Sequence, residues 1–292
     1  MTPYAPLWYQ SRDGLDLFAR HYPGDGPFPL LCMHGLTRNS ADFEDLVEHL
    51  AGRHPILAVD QRGRGESAWD PEPARYQVPV YAEDMFTLLE RQGITGAVLI
   101  GTSMGGLIAM QMLAMRPDLV KGLVLNDIGA VIEAAGLARI QDYMGKAPVP
   151  VTSWGEAARQ TRAVNGLAFP DYGDDDWLRF ARRLYRENSE GQPVIAFDPA
   201  IAPAPTPGAV RAVDMWAFYD SLPDVPLLII RGALSDLLSG DCVAEMVRRK
   251  TRARAVEIPN RGHAPALDEP EAVAAIEAFL GELRQGDDAP GG

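Results

Sequence analysis

Six short apolar runs punctuate this 292-residue chain: PLLCM (29–33), PILAV (55–59), AVLIG (97–101), GLVLN (122–126), PLLII (226–230) and RAVEI (254–258). They are nearly continuous in apolar character, the pattern of strands whose two faces are both covered. Amphipathic segments lie between them. In SADFEDLVEHLAG, Phe43, Leu46, Val47 and Leu50 form one apolar stripe and Ser40 is placed to cap the helix. YAEDMFTLLERQG ends at Gly93, a third helix runs from Ser103 to before Pro117, and PEAVAAIEAFLGEL begins with Pro270 at its first helical position. The early LWYQSRDGLDLFARHY reads instead as two antiparallel strands turning at Asp13-Gly14. Strand–helix alternation of this kind predicts an α/β fold: a mostly parallel, doubly wound sheet with an antiparallel N-terminal edge.

The alternation breaks between about residues 129 and 220, where helical pieces, three tryptophans and the proline-rich FDPAIAPAPTPG occur without a strand-like run. The simplest division is a core of residues 1–129 and 216–285, a helical insertion at 130–215, and a disordered tail at 286–292.

A formal net charge of −13 argues against nucleic acid and against anionic lipid surfaces as partners. Two cysteines, Cys32 and Cys242, make neither a disulfide framework nor a metal cluster, and they read as reduced thiols in a cytoplasmic protein. The N-terminus lacks the basic and apolar regions of a signal peptide, and no apolar run reaches the roughly 18 residues of a membrane helix. Nothing in the residues calls for a metal or organic cofactor. The oligomeric state stays open, a homodimer included.

Where the third apolar run meets a helix stands Gly101-Thr102-Ser103-Met104-Gly105. A strand entering a helix through G-x-S-x-G turns sharply and leaves the serine hydroxyl exposed at the helix N-terminus. Such a hydroxyl becomes a useful nucleophile only beside a base, usually a histidine oriented by a carboxylate. His263, in the loop after the last strand, reaches the same sheet edge. His49 and His54 read as surface residues and His21 as a strand residue. Asp236, after the preceding strand, is the favoured carboxylate. Asp127, at the end of GLVLN, is its rival, with a role in shaping the insertion's entrance as the other reading. Amides of Leu36, in HGLT, and of Met104 are placed to hold an oxyanion. His34 bonds the loop backbone and is included with Trp154, Trp177 and Trp216 among residues that line the substrate pocket. Cap-core packing is the alternative for the aromatics. Arg179, Arg182, Arg183 and Arg186 form either a solvated helix face or a stripe that draws in an anionic substrate.

HGLT, DQRGRGES, GTSMGG, RGALSD and GHAP, spread over residues 29 to 280, together resemble the α/β-hydrolase fold superfamily. The resemblance implies a Ser103–Asp236–His263 triad, structural turns at Asp60, Gly63 and Gly65, and a helical cap in the insertion; Arg62 and Arg64 read as structural too, with anion ligands as the alternative. A serine at the elbow separates the chain from branches with an aspartate nucleophile, and HG-x-T separates it from HGGG-type esterases. What remains is cleavage of a carboxylic ester of a small, largely apolar molecule through an acyl-enzyme. The alternatives are C–C bond or enol-lactone hydrolysis by the same triad, and a non-catalytic small-ligand receptor.

Overall fold

The computed structural model describes residues 2–145, 149–201 and 214–287. Its elements in chain order are β1 (Ala5–Gln10), β2 (Asp16–Tyr22), β3 (Leu30–Met33), α1 (Glu44–Leu50), β4 (Ile56–Asp60), α2 (Val78–Arg91), β5 (Ala97–Thr102), α3 (Met104–Met115) and β6 (Val120–Asn126). There follow α4 (Ala134–Met144), α5 (Trp154–Asn165), α6 (Asp174–Leu184), β7 (Tyr185–Glu187), β8 (Pro193–Ile195) and α7 (Met215–Ser221). The chain then returns to β9 (Leu227–Gly232), α8 (Gly240–Arg249), β10 (Ala253–Ile258) and α9 (Pro270–Asp287).

Eight strands form one sheet in the order β1-β2-β4-β3-β5-β6-β9-β10. β1 pairs antiparallel with β2 and β2 with β4; every other pair is parallel. This is the α/β-hydrolase fold with its antiparallel N-terminal edge. Alternation along each strand feeds two cores. Leu31, Met33, Ala97 and Leu99 face the layer of α2, α3 and α8, whereas Leu30, Cys32, Val98 and Ile100 face α1 and α9. Both cysteines are buried and free, and burial pushes the Cys32 thiol far up.

Several local expectations change. Asn39, not Ser40, caps the turn before α1 by accepting the Ala41 amide, while the Ser40 amide donates to Asp60 at 2.6 Å. His54 is buried. The insertion is not wholly helical, because β7 and β8 pair as a short antiparallel hairpin. Each is only three residues long, too short for a period-two pattern to stand out. α9 continues through 286 and 287, and the remaining tail (288–292) lies outside the described residues, as does most of the proline-rich stretch. Arg62 and Arg64 are indeed interior: Arg62 bonds Asp84, Asp70 and Asp13, and Arg64 bonds the Leu36 carbonyl and Tyr81. Among the described residues no helix is long and apolar enough to cross a membrane.

Candidate active site

β5 enters α3 through the glycine-flanked serine. Ser103 takes φ +52° and ψ −113°, a conformation that costs a non-glycine residue about 1–3 kcal/mol. The turn closes this tightly only without side chains on either side. A Cβ at Gly101 would strike the Gly105 carbonyl, and one at Gly105 would strike the Met33 carbonyl. The Ser103 amide donates to Asn126 O on the neighbouring strand, and the Ser103 carbonyl accepts the Gly106 and Leu107 amides. The hydroxyl therefore sits at the positive end of α3.

His263 Nε2 lies 2.9 Å from Ser103 Oγ, and His263 Nδ1 lies 2.8 Å from Asp127 Oδ2. A carboxylate at Nδ1 requires the proton there, which leaves Nε2 to accept from the serine hydroxyl. Asp127 is fully buried, a costly place for a carboxylate without donors. Its Oδ1 accepts the Gly232 amide at 2.8 Å, and its Oδ2 also accepts the Ser235 hydroxyl at 2.6 Å. Ser235 Oγ in turn accepts the Leu237 and Leu238 amides. Nothing in the local sequence marks Ser235 for this role, though it stands one residue before Asp236.

Asp236 is not the carboxylate on the imidazole. Arg139 of α4 grips it through Nε at 2.6 Å and Nη2 at 2.8 Å, and that bond holds its carboxyl below the usual range. The physical reason lies in the sheet order. β6 is the immediate neighbour of β5, so its last residues end beside the elbow, whereas β9 lies one strand further out and Asp236, in the loop after it, is held by Arg139 of α4. Asp236 O accepts the Gly136 amide, and a Cβ at Gly136 would sit 2.7 Å from that oxygen.

The turn after β3 abuts the serine: a Cβ at Gly35 would lie 3.8 Å from Ser103 Cβ. His34 is fully buried, and burial lowers its imidazole to about 3. The Gln61 amide donates to Nε2 at 3.1 Å, so Nδ1 carries the proton toward Gly35 O at 2.7 Å. That bond fixes the Gly35–Leu36 peptide, whose N–H points opposite to its carbonyl. His34 is thus a buried brace behind the turn and not part of a pocket wall.

A family model described as the alpha/beta hydrolase family matches residues 30–276. The chain belongs to that family. This hydrolase is similar to the 3-hydroxybutyrate-oligomer hydrolase of Cupriavidus necator, with 33% identity over 280 residues, 92% of this chain and 94% of that one. It is 30% identical to the 2-(acetamidomethylene)succinate hydrolase of Mesorhizobium japonicum, covering 88% of this chain and 89% of that one. An alpha/beta hydrolase from Novosphingobium aromaticivorans superposes with a TM-score of 0.89 at 41% identity, covering 96% and 99% of the two chains.

In this hydrolase the segment between β6 and β9 also grips the loop that carries His263. The Gly262 amide donates to Ala168 O at 2.9 Å. Arg261 bonds Asp171 at 2.8 Å and the buried Glu269 at 2.9 Å, while Glu269 accepts the Ala266 and Leu267 amides. Asn126 Nδ2 ties Thr102 to Pro265 O. The three tryptophans do not meet the serine. Trp177 is sealed among Phe169, Tyr172 and Phe180, Trp154 lies under Arg182, and Trp216 lies under Arg249. A cleft of about 600 Å³ between α6 and α1 is lined by Arg20, Glu44, Arg182 and Arg186 among others, and by none of Ser103, Asp127 and His263. The arginine stripe is accordingly split: Arg183 pairs with Asp45 at 2.6 Å, and Arg179 pairs with Asp176.

Proposed function

We propose that this hydrolase cleaves carboxylic esters through an acyl-enzyme on Ser103, with His263 as base and Asp127 as its orienting acid. The observation that carries this reading is the continuous pair of bonds at 2.9 and 2.8 Å from Ser103 Oγ through the imidazole to Asp127. His263 Nε2 takes the hydroxyl proton as Oγ attacks the ester carbonyl carbon. The Leu36 and Met104 amides receive the developing oxyanion, each such donor being worth about 2.7–4 kcal/mol in the transition state. The imidazolium, stabilised by Asp127, then gives its proton to the leaving alkoxide. Water activated by the same nitrogen attacks the acyl-enzyme, and the carboxylic acid leaves with Ser103 restored.

The insertion acts as a cap over this site, through α4 on one side and the α5–α6 connection on the other. A fluorophosphonate probe is expected to label Ser103 stoichiometrically, and Ser103→Ala is expected to abolish both labelling and turnover of short p-nitrophenyl esters. Undiminished turnover in Ser103→Ala overturns the reading. Enol-lactones and vinylogous diketones run beside the esters separate this reaction from C–C or lactone hydrolysis.

A further inference from the structure

We propose that Arg38 is a specificity residue that takes an ionised carboxylate of the substrate, so that the site selects esters carrying a second, free acid group. This rests on the ester reading above. Arg38 belongs to the turn that presents Leu36. A Cβ at Gly35 would have Arg38 Cγ at 3.5 Å and Ser103 Cβ at 3.8 Å as neighbours, so the arginine stem and the nucleophile flank one backbone position. The guanidinium is held in place. Its Nε donates to Asp42 at 2.9 Å, and its plane lies over the Phe180 ring, 4.1 Å from the centroid. With the group so fixed, Nη1 is buried and has no partner among the described residues.

A cavity of about 30 Å³ is lined by Arg38, Thr102, Phe169, Phe180, Arg183 and Pro265, among others. Thr102 precedes the nucleophile, and Pro265 follows the imidazole by two residues. The volume exceeds what one water needs and is of the order of a small polar group. Arg183 brings a second cation to the cavity, its Nε 3.4 Å from Glu44 Oε2 and its Nη2 2.6 Å from Asp45. The acids around the cavity are already engaged: Asp42 by Arg38, Asp45 by Arg183 and Asp176 by Arg179.

Tyr143 of α4 lies beside the Thr37 hydroxyl and near both Arg38 and Arg139. Arg139 spends Nε and Nη2 on Asp236. A carboxylate offers several lone pairs in one plane and matches a guanidinium edge, which makes it the ligand chemistry that the spare Arg38 donor and a second cation favour.

The test compares kcat/KM for monoethyl succinate, which keeps a free carboxylate, with that for diethyl succinate. The native enzyme is expected to favour the half-ester at least about tenfold, the worth of one charge-assisted hydrogen bond. In Arg38→Met, which keeps the apolar stem, that preference ratio falls about tenfold; Arg38→Lys restores part of it. An unchanged ratio in Arg38→Met, or a native preference for the diester, overturns the proposal. A second readout needs no turnover: butyrate is expected to protect Ser103 from fluorophosphonate labelling at lower concentration than butyramide, and to lose that advantage in Arg38→Met. Equal protection by the amide means the donors take a neutral carbonyl, and the proposal fails. Labelling of Ser103 without hydrolysis of either ester defeats the ester reading instead, and the protection experiment still decides the role of Arg38.

Discussion

Arg139 and Asp236 form a two-point ion pair, with both guanidinium nitrogens within 2.8 Å of the two carboxylate oxygens. Both partners are only partly exposed, and the pair joins the first helix of the insertion to the loop after β9. It therefore does two things at once. It holds Asp236 away from the imidazole, and it fastens α4 to the loop after β9, where Gly136 already packs on the Asp236 carbonyl. The carboxylate that serves the imidazole comes instead from β6, one strand away from the elbow.

Ser235 makes the buried position of Asp127 tenable. Its hydroxyl donates to the same oxygen that receives His263 Nδ1. Ser235→Ala is expected to lower kcat/KM about ten- to hundredfold, the range of a lost hydrogen bond to a charged group. Ser235→Thr is expected to retain most of the activity. Steady-state kinetics of the two variants check the size of the loss and its rescue.

Burial lowers His34 to about 3 from an ordinary value near 6.5. The unfolded chain takes up this proton below about pH 6.5 while the folded chain does not, so His34 opposes folding increasingly as pH falls from there toward 3. Stability from this source declines by about 1.4 kcal/mol per pH unit within that window and is flat above it. Urea unfolding of the native protein and of His34→Asn is expected to show a shallower decline between about pH 6 and pH 4 in the variant. The variant also loses the Nε2 that accepts the Gln61 amide, so a fall in activity at neutral pH accompanies it.

Gly262 has no room for a side chain. A Cβ there would sit 2.8 Å from Ala168 Cα, a backbone atom that cannot step aside cheaply. Gly262→Ala is expected to push the α5–α6 connection off the His263 loop, at about 1–3 kcal/mol of stability and with a larger proportional loss of kcat than of binding. Thermal unfolding and the kcat-against-KM split measure the two effects.

What the sequence made legible is what neighbouring residues decide among themselves. Ser103 and its glycines were readable because the elbow is a five-residue structure, and His263 because it follows the last strand directly. The alternating runs carried the sheet. The acid was not readable, since Asp127 and Asp236 both follow strands and differ only in distant partners. Arg139 lies 97 positions from Asp236, and nothing in the local chain shows that pairing. The three tryptophans failed for a related reason: composition cannot separate a pocket wall from the interior of a small helical layer, and Trp177 is interior, 2% exposed.

Asparagine substitution at the two aspartates tests the Ser103–His263–Asp127 relay most directly, because it keeps shape and removes charge. With a short p-nitrophenyl ester, Asp127→Asn is predicted to lower kcat by about 10⁴, the scale seen when an imidazole loses its orienting acid, while Asp236→Asn stays within about tenfold of the native enzyme. The opposite pattern, with Asp236→Asn inactive and Asp127→Asn near native, would contradict the relay.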